Sequence, residues 1–136
     1  MKFNLPLAGP VIGIGVDIAD IARIRDIIGR QKERFVQRVY TAAEQEYCER
    51  HRDPYKHYAA RFAAKEAVSK AFSTGIGEYL NWTSISVVKG ERGEPLVELD
   101  EKGRALLEQV GGSRVALSLS HSEETAIAFA AILGKV

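Results

Sequence analysis

A chain of 136 residues holds one domain with room for a real core, and too few residues for two. With 46% hydrophobic and 27% charged residues it reads as a soluble globular protein, and a net charge of +1 excludes a polyelectrolyte. The single cysteine, Cys48, excludes an internal disulfide; no Cys/His spacing resembles a zinc site, and no apolar run reaches membrane-spanning length. A cytosolic location is the expectation.

Residues 1–10 hold two of the four prolines and read as an extended leader without the long apolar region of a signal peptide. Residues 11–136 form the expected domain. Over residues 11–17, Ile12, Ile14 and Val16 alternate with Gly13, Gly15 and Asp17, the period of a strand with one apolar face. Glycines on the second face let another backbone or a ligand come close. Asp17 reads either as the N-cap of the next helix, which local sequence favours, or as a carboxylate over the space the glycines leave.

Residues 18–52 read as helical, with a break at Gly29. Arg23, Arg25, Arg30, Lys32, Arg34 and Arg38 stand here against Asp20, Asp26 and Glu33, a locally basic stretch. Arg23, Arg30 and Arg34 share a face if the helix runs through Gly29. This is a solvated face or a dock for an acidic partner; nucleic acid fits less well because the domain is nearly neutral. Thr41 and Glu44 have the spacing of a capping box that starts the next helix, and Asp53-Pro54 ends it. Cys48 within it reads as a small buried hydrophobe.

Residues 61–77 form the organising stretch. Ala60, Ala63, Ala64, Ala67, Val68 and Ala71 recur at helical spacing, and a mostly alanine stripe lets another backbone approach closely. Glu66 and Lys70 fall on one edge of the stripe, while Lys65 and Ser69 are expected to point away from it. Glu66 and Lys70 suit an ordinary i,i+4 ion pair, yet they sit beside a buried face and just before Gly75-Ile76-Gly77, which ends the helix.

Residues 82–89 and 95–99 read as a hairpin turning through residues 90–94. A short helix over residues 101–110 is closed by Gly111-Gly112. The last segment is again a hairpin: Val115, Leu117, Leu119 and His121 share one face, residues 122–124 turn, and residues 125–133 return as an apolar strand. A histidine at the end of such a row more often satisfies structure than catalysis.

No nucleophile elbow, Walker loop or dinucleotide fingerprint is present. What remains is two carboxylates, Asp17 and Glu66, one lysine, Lys70, and glycine-rich backbone near both. Paired carboxylates suit Mg²⁺, and a lysine beside such a metal neutralises a departing phosphate. The set suggests phosphoryl-type transfer.

Three motifs carry a resemblance. Residues 13–17 with Arg23 and Ile24, residues 61–67 with Lys70, Ala71 and Gly75-Ile76-Gly77, and residues 117–121 resemble, in order and spacing, the signatures of the bacterial holo-[acyl-carrier-protein] synthases, which are 4'-phosphopantetheinyl transferases. The resemblance implies an α+β domain, a long central helix packed on a small antiparallel sheet. It implies transfer of 4'-phosphopantetheine from coenzyme A to a serine of apo acyl carrier protein, with adenosine 3',5'-bisphosphate released. A catalytically silent trimeric binding protein of the same fold is the alternative. By the same resemblance Asp17 and Glu66 match Mg²⁺ ligands, and Lys70 matches a phosphate-binding lysine that assists the leaving group. Arg61, His121, Gly75, Gly77, Pro95 and, more weakly, Ser122 match the coenzyme A site. Arg23 and Arg30 match carrier-docking positions. A homotrimer with active sites between subunits is implied, with neither nucleic acid nor membrane as a partner.

Overall fold

The computed structural model describes residues 9–136; the expected leader falls almost wholly outside them. Of its last two residues, Pro10 accepts a backbone hydrogen bond from Gly134 (2.7 Å).

The architecture is α+β in one domain, as expected. A three-stranded antiparallel sheet contains β1 (Val11–Asp20), β4 (Gly112–His121) and β5 (Thr125–Gly134) in the order β1-β5-β4, and a separate hairpin pairs β2 (Ile85–Lys89) with β3 (Pro95–Leu99). The helices are α1 (Ile21–Gln31), α2 (Glu33–Val39), α3 (Ala42–Glu49), α4 (Tyr55–Ala71) and α5 (Glu101–Gln109). Residues 82–84, expected as strand, form a single 3-10 turn instead.

The fold is built around α4. Its alanine stripe lies on the sheet, where Ala126, Ala128 and Ala130 of β5 are buried against it. On β1 the approach is closer still: a Cβ built on Gly15 would lie 2.0 Å from the Ala67 carbonyl oxygen, and one on Gly13 would lie 2.2 Å from that of Ala71. The two strand glycines therefore serve backbone contact, not a ligand.

Lys65 and Ser69 do not point to solvent. Both are buried, because α3 and β2 cover the side of α4 that faces away from the sheet. Lys65 Nζ lies 2.7 Å from Glu44 Oε1 and also donates to the carbonyls of Trp82 and Ile85. Glu44 in turn accepts from the Thr41 and Val87 amides, both at 2.9 Å, so the expected capping box also anchors a buried ion pair. Cys48 is buried as expected, and burial pushes its thiol up to about 12.

The helical reading of residues 18–52 needs two corrections. β1 runs on to Asp20, which pairs with Thr125, so residues 18–20 are strand. The helix then passes through exposed Gly29 and breaks at Lys32, whose φ of 52° is left-handed. Arg34 therefore stands on α2, and only Arg23 and Arg30, seven residues apart on α1, share a helical face.

The apolar face of β1 is turned away from the core. Ile12, Ile14, Val16 and Ile18 are exposed, Ile18 by 66%, and Val16 and Ile18 lie opposite exposed Phe129 and Ile127 of β5. Alternation had identified two unlike faces; the glycine face is the one that meets α4.

Candidate functional site

Asp17 and the last turns of α4 meet at the edge where β1 packs on the helix. Residues 13, 15, 17 and 19 share the β1 face turned toward α4, so the Asp17 carboxylate follows the two glycines toward that helix. Asp20, not Asp17, caps α1 by accepting from the Ala22 amide at 3.0 Å. Asp17 is thus free of capping duty, and its Oδ1 lies 3.0 Å from Lys70 Nζ, which also donates to the Val16 carbonyl at 3.2 Å. The ion pair of Lys70 is therefore with a strand 53 residues earlier, not with Glu66 one turn before it on α4. The side chain of Lys70 remains 51% exposed and that of Asp17 17%.

Glu66 completes the cluster. Burial and the nearby Asp17 carboxylate hold its carboxyl above the usual range, with Lys70 opposing. Two carboxylates this close repel unless a cation lies between or beside them. Among the described residues no group of three or more His, Cys, Asp or Glu could hold a metal. Two hard oxygen donors at a partly exposed edge fit a cation that keeps waters and takes its other ligands from a phosphorylated substrate, the usual Mg²⁺ arrangement.

A second constellation forms at the other end of α4, about 13 Å from Lys70 at the rise of a helix. Arg61 is buried with its guanidinium 4.2 Å from the Tyr47 ring centre, and it donates to the His57 carbonyl at 3.5 Å. A cavity of about 240 Å³ brings Arg61 together with His121, Pro95, Lys56 and Lys89. Its cationic side chains and apolar floor suit a phosphorylated nucleotide. Ser122 lies just outside, on a cavity shared with His121, and its hydroxyl accepts from the Glu124 and Thr125 amides at 3.3 and 3.2 Å. Sequence reasoning missed Tyr47, Lys56, His57 and Lys89 as wall residues; none lies in a motif, and only the fold brings α3, α4 and β2 together here.

Gly75 (φ +67°) and Gly77 (φ +159°) lie just past the C-terminal end of α4 and wall neither this cavity nor the adjoining one of about 390 Å³. One chain thus brings Arg61, Pro95 and His121 together and leaves the glycine loop apart. Arg23 and Arg30 are exposed on α1, and neither forms an ion pair among the described residues. No helix among the described residues is long and apolar enough to cross a membrane.

Comparison with known proteins agrees with this architecture. The family model of the 4'-phosphopantetheinyl transferase superfamily matches residues 13–130. A holo-[acyl-carrier-protein] synthase of Chlamydia caviae is 45% identical over 120 residues, 88% of this chain and 95% of its own length. The crystal structure of the Neisseria meningitidis holo-[acyl-carrier-protein] synthase superposes with a TM-score of 0.85 at 33% identity, covering 90% of this chain and 98% of that one. That of the Helicobacter pylori synthase in complex with coenzyme A gives 0.79 at 33% identity, covering 88% and 98%. By sequence and by fold, the chain belongs to the 4'-phosphopantetheinyl transferase superfamily.

Proposed function

We propose that the protein transfers the 4'-phosphopantetheine arm of coenzyme A to a serine hydroxyl of an apo acyl carrier protein. The observation that carries this reading is the convergence of Asp17, Glu66 and Lys70 at one edge of α4, on a chain of this superfamily. In the reaction the serine Oγ bonds to the β-phosphorus, the diphosphate P–O bond breaks, and adenosine 3',5'-bisphosphate leaves. The nucleophile comes from the partner, in keeping with a chain that has no nucleophile motif of its own.

Asp17 and Glu66 would hold Mg²⁺, which when bound supplies charge withdrawal from the diphosphate. Lys70 offsets charge on the leaving phosphate, an interaction that strengthens as the bond breaks and so raises turnover more than binding. Glu66, a stronger proton acceptor than an ordinary carboxylate, takes the serine proton directly or through water. Arg61, His121 and Pro95 hold the nucleotide end of coenzyme A, with Ser122 beside them. Arg23 and Arg30 steer the acidic carrier toward the Asp17, Glu66 and Lys70 cluster.

The exposed apolar sheet face supports assembly as a homotrimer, since a monomer rarely leaves such a patch in water. Active sites between subunits would bring Gly75 and Gly77 to coenzyme A bound against a neighbouring copy. The setting is the cytoplasm, where carriers of lipid synthesis are loaded. Residues 11–136 form the transferase domain, a reading supported by the family match over residues 13–130. Chromatography of the nucleotide products tests the reaction: adenosine 3',5'-bisphosphate should accumulate only when apo carrier, coenzyme A and Mg²⁺ are all present. Release without carrier would mean hydrolysis and refute transfer.

A further inference from the structure

We propose that His51 and His57 make anion capture beside Arg61 proton-linked, so that a bound phosphate-type anion drives a proton onto this histidine pair. The inference rests on the reading of that cavity as a phosphorylated-nucleotide site, and concerns two residues that no motif includes.

The chain has three histidines, and all three wall the two adjoining cavities that share Tyr47, Arg61, Val88 and Lys89. The rings of His51 and His57 lie 3.8 Å apart, and Tyr47 packs against both, at 4.7 and 5.5 Å. His51 Nδ1 donates to the Tyr47 carbonyl at 2.9 Å, which fixes its ring. Arg61 lies over the ring of the same tyrosine at 4.2 Å. Among the described residues, His57 Nε2 and Arg61 Nε are both buried without a hydrogen-bond partner. Arg61 Nε can only donate, and His57 Nε2 becomes a second donor once it carries a proton, so a protonated His57 and Arg61 together call for an acceptor.

The charges around His57 come from every packed element: His51 just after α3, Lys56 and Arg61 of α4, Lys89 at the end of β2, and His121 at the end of β4. Arg50 walls only the adjoining cavity and pairs with Glu46 at 3.4 Å. Among the described residues no carboxylate walls either cavity. Asp53 and Glu123 belong to a neighbouring cavity shared with Lys56 and His121. In such a field His57 stays neutral: burial first, then His51, Arg61, Lys56 and His121 hold it down at about 4. Two imidazoles at this distance do not both charge while surrounded by cations. An anion placed among them offsets part of this field, so a proton on His57 costs less than it does in the anion-free protein. Because coupling is reciprocal, an upward shift of one pH unit in His57 corresponds to about tenfold tighter anion binding by the protonated protein.

The test is an NMR titration of the three histidine ring protons against pH, without anion, with sulfate, and with adenosine 3',5'-bisphosphate. Sulfate does not titrate in this range, so any shift belongs to the protein. The expected result is that His57 titrates near 4 in the absence of anion and about one unit or more higher with saturating sulfate. Sulfate affinity should rise about tenfold as pH falls through that window, and His57→Phe should abolish the rise. If that variant fails to fold, the titration of the parent protein still decides. Anion binding with an unmoved His57 overturns the inference and leaves the transferase reading intact. Failure of both anions to bind overturns the nucleotide site and the inference together.

Discussion

Lys65 and Lys70 stand five residues apart on the same helix, and each ammonium lies about one hydrogen bond from a carboxylate, at 2.7 and 3.0 Å. There the likeness ends. Lys65 and Glu44 are wholly excluded from water, and every polar atom of the pair has a fixed partner: two backbone carbonyls for the lysine, two backbone amides for the glutamate. Burial draws the Lys65 ammonium below its usual range against the pull of Glu44. Lys70 is half exposed, pairs with a carboxylate that keeps some exposure of its own, and has one other partner. A fully satisfied buried pair joins elements; a half-open pair remains available for exchange with a ligand. Motif position alone does not separate them, since both lysines lie in the same signature.

The comparison is broken most severely at the buried pair. Lys65→Met leaves Glu44 buried without its cation and should cost about 3–5 kcal/mol in urea unfolding; adding Glu44→Leu should recover only part of it, because the Thr41 and Val87 amides then lose their acceptor. Loss of less than about 1 kcal/mol would show that the pair is not the joint described here. Next comes Lys70→Ala, which should lower kcat about 100-fold or more, the size expected when a transition-state contact to developing charge is lost. Third is Gly15→Ala: its Cβ would lie 2.0 Å from the Ala67 carbonyl oxygen, so β1 must shift from α4 at a cost of about 1–3 kcal/mol. That shift would also loosen Asp17 from Lys70, so turnover should fall with stability. Arg23→Glu should raise the carrier's KM about tenfold at low salt, and added salt should narrow the gap. The smallest effect sharpens the contrast: Lys70→Ala should change unfolding free energy by less than about 1 kcal/mol.

Much of the scaffold was legible because it is local. The alanine stripe of α4, the Thr41–Glu44 box and the close approach signalled by Gly13 and Gly15 each follow from a few neighbouring residues. The burial of Lys65 was not legible, because its partner lies 21 positions earlier, on α3. Asp17 looked like a cap because strand and helix abut, and only pairing with β5 shows that the strand runs on to Asp20. Alternation in β1 revealed two faces but could not say which one the helix would cover. Of the candidate site, the Asp17, Glu66 and Lys70 cluster was readable from motif and geometry together. The Tyr47, His51 and His57 wall was not, because it arises only where α3 and α4 fold against β2.

The central claim is that Asp17, Glu66 and Lys70 serve group transfer to a carrier protein. Intact-mass analysis of an apo acyl carrier protein, after incubation with this protein, coenzyme A and Mg²⁺, tests it most directly. The expected result is a mass increase equal to one phosphopantetheine on the carrier serine, lost when Glu66→Gln or Lys70→Ala replaces the parent protein. An unmodified carrier with the parent protein, across several apo carriers, would contradict it.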